Sequence, residues 1–355
     1  MKKLINVGLI FGGKSAEHDI SIKSAEAIYN NIDGSKFTIR PIYINNHGKW
    51  SLIDGVDFIN KNYSKDKGNH FLPWLNSNLI QNSEIDIYFP ILHGPNGEDG
   101  KIQSLLELNG APYVGANSLS SALAMDKVIS KILLHNANLP TVAYLSFINN
   151  DPPRIHKEIE SSFGYPVFIK PSSLGSSVGI SKVNSRKSLK KSLDLAFSYD
   201  PKIIIEQGID AREIEVSVIG NFDPKVSKPG ELIPHNEFYD YNDKYINNKT
   251  SFNIPAELLS EIESTIQGLA KSAFQAHSIN GMARIDFFLE KTSNQLFINE
   301  VNTIPGFTEI SMFPKLWETE GISFMDLISQ LINYGFEFHQ HQCSFKNAVS
   351  SVEEK

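Results

Sequence analysis

The chain has 355 residues, of which 41% are hydrophobic and 21% charged, and its formal net charge at pH 7 is −7. This length exceeds the size at which a single hydrophobic core stops growing, so we expect two or three domains. The acidic charge argues against nucleic acid or an anionic membrane as the main partner, since neither attracts a negative surface. The one cysteine, Cys343, excludes an internal disulfide and fits a reducing cytosol.

Residues 1–116 predict a parallel α/β domain. An apolar strand over residues 4–11 ends at a glycine pair, and a helix over 18–30 follows. The strands FTIRPIYI and EIDIYFPIL, the glycine-rich HGPNGEDG and a helix over 102–108 continue the alternation. Alternating strands and helices indicate a parallel sheet. Residues 60–83, rich in Asn, Lys and Ser, are predicted to be an insertion in this domain.

Two further units are predicted after residue 116. A helix over 120–136 opens a central unit that includes the strand YPVFIK, the loop PSSLGSSVGI, a basic helix over 186–196 and the strand KIIIE. A hinge near residues 206–208 precedes the alternating strand EIEVSVIG, which starts a third unit. That unit continues with a polar loop over 234–251, a helix over 256–277 and an apolar hairpin. We expect the polar end, from about residue 336, to be frayed.

The hairpin sequence RIDFFLEKTSNQLFINEVN contains two carboxylates among apolar residues. If its polar turn centres on Ser293, antiparallel pairing places Asp286 opposite Glu300 and Arg284 opposite Asn302, all on one face. Opposed like charges are destabilising, so this pairing requires a proton or a cation between the carboxylates. Two carboxylates and an amide oxygen suit Mg²⁺. The alternative is a solvent-facing sheet edge, which a one-residue slip in register would restore.

Three other motifs match known signatures without the structural context that these signatures need. GLIFGGKS fits a phosphate-binding loop around Lys14, but its middle residues are predicted to be strand. GSSVG fits a nucleophile elbow at Ser177, but a loop separates it from the preceding strand. In the tail, His339, His341 and Cys343 alternate as zinc ligands can, although such residues in a polar terminus are more often solvated.

Three lysines lie near the glycine/serine loop or in the polar loop: Lys127 in AMDKVISK, Lys170 in VFIKP and Lys244 in YDYNDKY. Each has the plain interpretation of a solvated surface charge. Lys170 ends an apolar strand beside the glycine/serine loop, which makes that interpretation weakest there. Several cations around a Mg²⁺ site are typical of a place where the charge of a triphosphate is neutralised.

From about residue 6 to residue 334 the sequence resembles the D-alanine-D-alanine ligases of the ATP-grasp superfamily. The matching segments are GGKSAEHDIS (12–21), LHGPNGEDGKIQ (92–103), AMDKVISK (124–131), KPSSLGSSVG (170–179), EQGIDAREIEV (206–216), NEFYDYNDKY (236–245), ARIDFF (283–288) and NEVNTIPGFTEIS (299–311). HGPNGEDG and NEVNTIPG are the most specific of these. The resemblance implies an α/β (α+β) ATP-grasp fold with a Rossmann-like domain (1–116), a central subdomain (117–207), a C-terminal subdomain with the metal and substrate site (208–335) and a polar tail (336–355).

The resemblance also implies roles for individual residues. Asp286, Glu300 and Asn302 would hold Mg²⁺, with Mn²⁺ as the alternative ion. Residues implied to bind ATP are Lys127, Lys170, Ser177, Glu206, Ile209, Glu213, Lys244 and Asn302. Residues implied to bind D-alanine are Glu17, His93, Arg284, Gly306, Ser311 and Met312. Residues implied to take part in catalysis, by contacting reacting groups or by linking the closing loops, are Glu17, Ser176, Tyr245, Arg284 and Gly306.

The implied activity is the ATP-dependent joining of two D-alanine molecules through an acyl phosphate, for peptidoglycan precursors, by a cytoplasmic homodimer. Tyr245 and the apolar Met312 indicate D-alanine as the second substrate, rather than D-lactate or D-serine. The pair Asn242-Asp243 departs from the Glu-Ala of many relatives. Two other classes of function stay open: a catalytically inactive ATP-grasp binding module, and a phosphate-loop switch that uses Lys14.

Overall fold

The computed structural model describes residues 3–63, 85–233 and 251–345. Most of the predicted insertion, the predicted polar loop with Lys244 and Tyr245, and the last ten residues therefore lie outside the described residues. The described residues form three sheets with helices packed against them. No helix in the described ranges has the length and apolar character needed to cross a membrane.

The N-terminal unit is a four-stranded sheet with helices. Its elements are β1 (Ile5–Gly12), α1 (His18–Asn31), β2 (Phe37–Ile44), β3 (Trp50–Leu52), α2 (Gly55–Ile59), β4 (Ile87–Pro90) and α3 (Lys101–Leu108). The strand order is β3-β2-β1-β4, with β1 parallel to both β2 and β4, as predicted. The sequence pattern missed β3, a short antiparallel edge strand.

The turn after β1 requires glycine. Gly12 and Gly13 have φ values of 90° and 95°, in the left-handed region that glycine tolerates. A Cβ on Gly12 would lie 2.2 Å from the carbonyl oxygen of Ile44, so no other residue fits. Since β1 continues to Gly12, the middle of GLIFGGKS is extended strand and forms no phosphate cradle.

The central unit is an antiparallel four-stranded sheet. The elements from residue 118 to residue 207 are α4 (Ser118–Met125), α5 (Lys127–Asn136), β5 (Tyr144–Phe147), α6 (Pro152–Ser162), β6 (Val167–Pro171), β7 (Ser181–Val183), α7 (Arg186–Phe197) and β8 (Ile203–Gln207). The strand order is β5-β8-β6-β7. The expected single helix over 120–136 was wrong: the chain breaks at Asp126, whose side chain accepts hydrogen bonds from the amides of Val128 and Ile129 and so begins α5.

The C-terminal unit contains the largest sheet. Its elements are β9 (Ala211–Gly220), β10 (Lys225–Val226), β11 (Gly230–Ile233), β12 (Ser251–Asn253), α8 (Ser260–Ala276), β13 (Gly281–Glu290), β14 (Leu296–Asn302), α9 (Met312–Thr319) and α10 (Phe324–Cys343). The strand order is β12-β11-β9-β13-β14, and β10 pairs with the end of β9 that β11 does not reach.

The expected fraying from residue 336 was wrong, because α10 continues to Cys343. Its middle packs into the N-terminal unit: a Cβ on Gly335 would lie 2.6 Å from the Tyr113 carbonyl oxygen. On either side of Gly335, the side chain of Asn221 donates hydrogen bonds to the Tyr334 carbonyl and to Glu337. These contacts hold the helix where the local sequence alone is polar.

The cores join the N-terminal and C-terminal units. One buried cluster combines residues of the N-terminal sheet, such as Phe11 and Phe89, with Phe307, Trp317 and Leu331 of the C-terminal unit. A second cluster fills the space between α8 and the large sheet, and a third belongs to the central sheet alone. The central sheet therefore has its own core, and the cleft between it and the other two units is where functional side chains meet.

Candidate active site

Polar side chains occupy the face of the large sheet opposite its core. Along β13 the buried core contains Ile285 and Phe287, while Arg284 and Asp286 point to the other face. The predicted pairing is confirmed: Asp286 lies opposite Glu300 and Arg284 opposite Asn302. The donors are two carboxylates and an amide, the hard-oxygen set that suits Mg²⁺. No cluster of three or more His, Cys, Asp or Glu suited to a metal is found among the described residues.

A β-bulge at Asn299 produces this arrangement. Nearer the turn, Phe287 pairs with Ile298, and one extra residue on β14 then shifts the register before Asp286 pairs with Glu300. Without the bulge, Glu300 would follow Ile298 into the core by the period-two alternation of a strand. Instead Val301 enters the core and Glu300 joins Asp286 on the polar face. The bulge therefore re-aims one carboxylate into the site.

Arg284 forms ion pairs with two carboxylates of this face. Its Nε and Nη2 donate to the two oxygens of Asp286, both at 2.7 Å, and Nε also lies 3.2 Å from Oε2 of Glu215. Burial would lower the pKa of Arg284, but Asp286 and Glu215 raise it well above its ordinary value. Glu215 was missed by the sequence analysis. Its position two residues after Glu213 on one strand face was the available signal.

Two lysines face these carboxylates from the other side of the cleft. Nζ of Lys127 lies 3.8 Å from Oε2 of Glu300 and donates a 2.6 Å hydrogen bond to the carbonyl of Leu174. Burial lowers the pKa of Lys127. Lys170, buried at the end of β6, contacts Oε2 of Glu206 at 2.5 Å.

A third lysine, Lys131 on α5, was not predicted from the sequence. Its Nζ lies 2.8 Å from Oε1 of Glu206, so Glu206 is held between Lys131 and Lys170. Burial alone would raise the pKa of Glu206, but the two lysines lower it to about 2. The carboxylate is therefore ionised at neutral pH although only 3% of the residue is exposed.

The glycine/serine loop between β6 and β7 reaches the N-terminal unit. The hydroxyl of Ser176 donates a short hydrogen bond to Glu17, which precedes α1. Ser176 and the next residue, Ser177, have positive φ values of 54° and 60°. Hydrogen bonds from Ser172 to Asp126 and from Lys127 to Leu174 hold the start of the loop. The loop thus lies over the two cleft lysines, where it can cover a phosphate chain.

The side chains of Glu98 and His93 form an acid–base pair close to Glu17. Nδ1 of His93 lies 3.1 Å from the carbonyl oxygen of Ile304, an acceptor, so Nδ1 has the hydrogen. Burial would lower the pKa of His93, but the Glu98 carboxylate, 3.7 Å from Nδ1, raises it above its ordinary value. Glu98 is a cleft residue that the roles above did not include, although HGPNGEDG contains it.

Many of these groups line a cleft of about 460 Å³ between the three units. Most of the expected substrate and metal residues lie in its wall, namely Glu17, His93, Lys127, Ser176, Arg284, Glu300, Asn302, Gly306, Ser311 and Met312. A Cβ on Gly306 would lie 3.0 Å from Oγ of Ser311, so the loop before α9 is tightly folded here. Met312 is buried at the start of α9, where Gly230 leaves room for its thioether.

The remaining expected residues that the structure describes, among them Asp286 of the metal set and Ser177, do not line the cleft. Lys170 and Glu206 are buried in the central sheet, next to the cleft wall. Ile209 lies in the segment between β8 and β9, and Glu213 lies on β9 opposite Phe288. Lys244 and Tyr245 lie outside the described residues.

The motifs rejected on sequence lack the required geometry. Lys14 is exposed, and Ser177 follows the end of β6 by six residues, in a loop rather than at a strand-to-helix turn. The three tail residues lie on a helix, where alternate positions point in different directions. Cys343 lies 3.6 Å from His339, but the ring of His341 packs 4.4 Å from that of Phe222.

Comparison with known proteins decides the family. A family model described as D-ala D-ala ligase N-terminus matches residues 6–116, and one described as D-ala D-ala ligase C-terminus matches residues 133–333. The chain belongs to the D-alanine-D-alanine ligase family. The D-alanine-D-alanine ligase of Bacillus cytotoxicus is 44% identical over 360 residues, which cover 97% of this chain and 99% of that protein. The D-alanine-D-alanine ligase of Thermoanaerobacter pseudethanolicus is 45% identical, and the match covers 95% of this chain and 98% of that protein.

Solved structures of family members have the same fold. The VanG D-Ala:D-Ser ligase of Enterococcus faecalis has a TM-score of 0.84 at 35% identity and covers 94% of this chain and 100% of that chain. The D-alanine-D-alanine ligase of Coxiella burnetii has a TM-score of 0.82 at 34% identity and covers 96% of each. The predicted ATP-grasp architecture is confirmed, and use of ATP follows from membership of this ligase family.

Proposed function

We propose that this protein is an ATP-dependent ligase that joins two D-alanine molecules into D-alanyl-D-alanine, a peptidoglycan precursor. The observation that supports it most is the presence of Glu17 and Arg284 in one cleft with Lys127 and with Glu300 of the hairpin, which pairs with Asp286. An amino acid needs an anion for its ammonium and a cation for its carboxylate. A phosphoryl donor needs cations beside a divalent metal site.

The first D-alanine is bound between the N-terminal unit and the large sheet. Glu17 accepts hydrogen bonds from its ammonium, with His93 close by, and Arg284 with the amide of Gly306 binds its carboxylate. This arrangement holds the carboxylate toward the side of the cleft that contains Lys127. Orientation of this kind converts a reaction between two molecules into a local one, and supplies much of the rate.

ATP lies between the central and C-terminal units. Lys127 and Lys170 bind its phosphates, and Ser177 of the covering loop contributes a hydroxyl. Glu206, Ile209 and Glu213 contact the adenosine part. Lys244 is assigned to the phosphates and Tyr245 to the loop contact with Glu17 and Ser176 on family resemblance alone.

Asp286, Glu300 and Asn302 would hold Mg²⁺, or Mn²⁺ in its place. Their carboxylate and amide oxygens fit such an ion, which would add to Arg284 and Lys127 in offsetting the like charges of the opposed pair Asp286 and Glu300. When bound, the ion neutralises charge on the triphosphate. The buried setting of Asp286 makes this neutralisation stronger than it would be in water.

The reaction proceeds in two steps. A carboxylate oxygen of the first D-alanine attacks the terminal phosphorus of ATP, ADP leaves, and an acyl phosphate forms. The amine of the second D-alanine then attacks the acyl carbon, loses a proton, and expels phosphate. Arg284 and the Gly306 amide stabilise the oxyanion, while the loop held by Ser176 and Glu17 excludes water that would hydrolyse the acyl phosphate.

Met312 favours D-alanine over D-serine as the second substrate. Its buried thioether lines the cleft beside Ser311 and packs well against a methyl group, but offers no donor to a hydroxyl. The similarity to a D-Ala:D-Ser ligase structure favours D-serine as the second candidate. A competition between the two acceptors decides it.

We further propose that the protein is a cytoplasmic homodimer with the domain division 1–116, 117–207 and 208–335. The three sheets fall within these ranges, and the single cysteine fits a reducing compartment. Light scattering after size-exclusion chromatography tests the dimer, which should have twice the mass of the 39.7 kDa chain.

Phosphate release from ATP tests the proposed activity. Purified protein with Mg²⁺ and ATP should release phosphate on addition of D-alanine and not of L-alanine, because Glu17, Arg284 and Gly306 bind one enantiomer in the productive orientation. Equal release with both enantiomers, or none with D-alanine, would contradict the proposal.

A further inference from the structure

Three acidic residues form a row across the polar face of the large sheet. Glu215 on β9 pairs with Asp286 on β13, which pairs in turn with Glu300 on β14. Like charges directly opposite one another on neighbouring strands are destabilising. The row therefore needs cations, and the guanidinium of Arg284 contacts two of its members, Asp286 and Glu215.

Arg284 has more than one function to perform in the proposed reaction. Its guanidinium group donates hydrogen bonds to both oxygens of Asp286 at 2.7 Å. The side-chain amide of Asn302 donates a further hydrogen bond to Asp286 at 2.9 Å. Asp286 and Asn302 are the residues proposed to hold Mg²⁺. A divalent cation there competes with Arg284 for Asp286, because two cations share one carboxylate and repel each other.

Glu215 offers a second carboxylate to the same guanidinium. Its Oε2 lies 3.2 Å from Nε of Arg284, and the residue is 7% exposed, so this charge is poorly screened by water. Glu215 pairs with Asp286 of the proposed metal set, and Glu215 and Arg284 both line the cleft.

We infer that Glu215 is a positioning residue for Arg284: it holds the guanidinium against the D-alanine carboxylate once Asp286 is occupied by the metal ion. The inference rests on the proposed function. Without Glu215, Arg284 either stays bonded to Asp286 or moves away from the substrate.

The test is Glu215→Gln, which keeps the size of the side chain and removes its charge. The Michaelis constant for D-alanine should rise, with the combined loss in kcat/KM about ten- to hundredfold, the range for hydrogen bonds to charged groups. The Michaelis constant for ATP should stay within about twofold, since no ATP residue is touched. Unchanged D-alanine kinetics in a folded variant overturns the inference.

Glu231→Gln is the matched control. Glu231 also accepts a pair of hydrogen bonds from an arginine of the same sheet, Arg212, at 2.7 and 2.8 Å, outside the cleft wall. The Glu231→Gln variant should have a lower melting temperature and unchanged D-alanine kinetics. If Glu215→Gln behaves in the same way, its role is merely structural and the inference fails.

Two further measurements separate the remaining outcomes. The rise in melting temperature caused by Mg²⁺ with ADP should be the same in Glu215→Gln and the unmodified protein; its loss would make Glu215 a metal ligand instead. Should Glu215→Gln fail to fold, Glu215→Asp takes its place. This substitution keeps the charge but withdraws it by one methylene, and it should still raise the Michaelis constant for D-alanine. Failure of the unmodified protein to use D-alanine counts against the proposed function, not against Glu215.

Discussion

Replacement of Lys131 by methionine tests the buried charge cluster beside the cleft. Glu206 lies between Lys131 at 2.8 Å and Lys170 at 2.5 Å, and all three residues are almost wholly buried. A carboxyl pKa held at about 2 instead of 4.5 corresponds to about 3 kcal/mol of stabilisation of the ionised form. Since Lys170 remains, Lys131→Met should lower the free energy of unfolding by about 2–3 kcal/mol.

The acid dependence of stability gives a second signature of the same cluster. The folded-state pKa of Glu206 lies below its ordinary 4.5, so its contribution is present above about pH 4.5 and is lost as the pH falls toward 2. In Lys131→Met the folded-state pKa moves up, so less stability is lost in this range. Urea unfolding followed by circular dichroism at several pH values measures both effects.

Lys291→Met is the control for this prediction. Lys291 contacts Asp210 at 2.6 Å, but the two side chains are 53% and 76% exposed. An exposed pair of this kind contributes at most about 1 kcal/mol. A Lys131→Met variant that loses no more than Lys291→Met, with an unchanged acid limb, would refute the assignment of buried charge stabilisation.

Two predictions concern the metal face and the phosphate lysines. Glu300→Gln should lower turnover by at least about a hundredfold through weakened Mg²⁺ binding. The free energy of unfolding should change by less than about 1 kcal/mol, because the relief of repulsion from Asp286 offsets the loss of the distant ion pair with Lys127. Full activity would contradict the metal assignment. Lys170→Ala should lower kcat/KM for ATP by orders of magnitude, whereas exposed Lys14→Ala should be close to neutral. A reversed order would revive the phosphate-loop interpretation.

The hairpin shows how far the sequence predicts the site. The pairing of Asp286 with Glu300 was predicted from a turn centred on Ser293, but near the turn the strands pair half a residue away from that centre. The extra residue at Asn299 restores the predicted register where it matters. Nothing in the local composition marks a bulge, because it depends on which neighbouring residues the core accepts.

Some features that the sequence analysis did not predict depend only in part on local sequence. The break before Lys127 had a signal, since Asp126 is a good N-cap residue within an otherwise helical pattern. The length of α10 had none, because its polar end contacts distant residues: Glu337 contacts Asn221 and His341 contacts Phe222. Glu215 was missed although its alternation with Glu213 indicated the polar face, since the signal becomes specific only when Asp286 lies opposite.

The composition of the product tests the central claim most directly. The protein is supplied with equal concentrations of D-alanine, D-serine and D-lactate, together with ATP and Mg²⁺ near neutral pH, and the products are identified by mass spectrometry. We predict mainly D-alanyl-D-alanine, because Met312 and the loop residue Tyr245 favour a methyl-bearing amine as the acceptor. A spectrum dominated by the D-serine or D-lactate adduct would contradict the proposed specificity, and the absence of any adduct would contradict the ligase assignment.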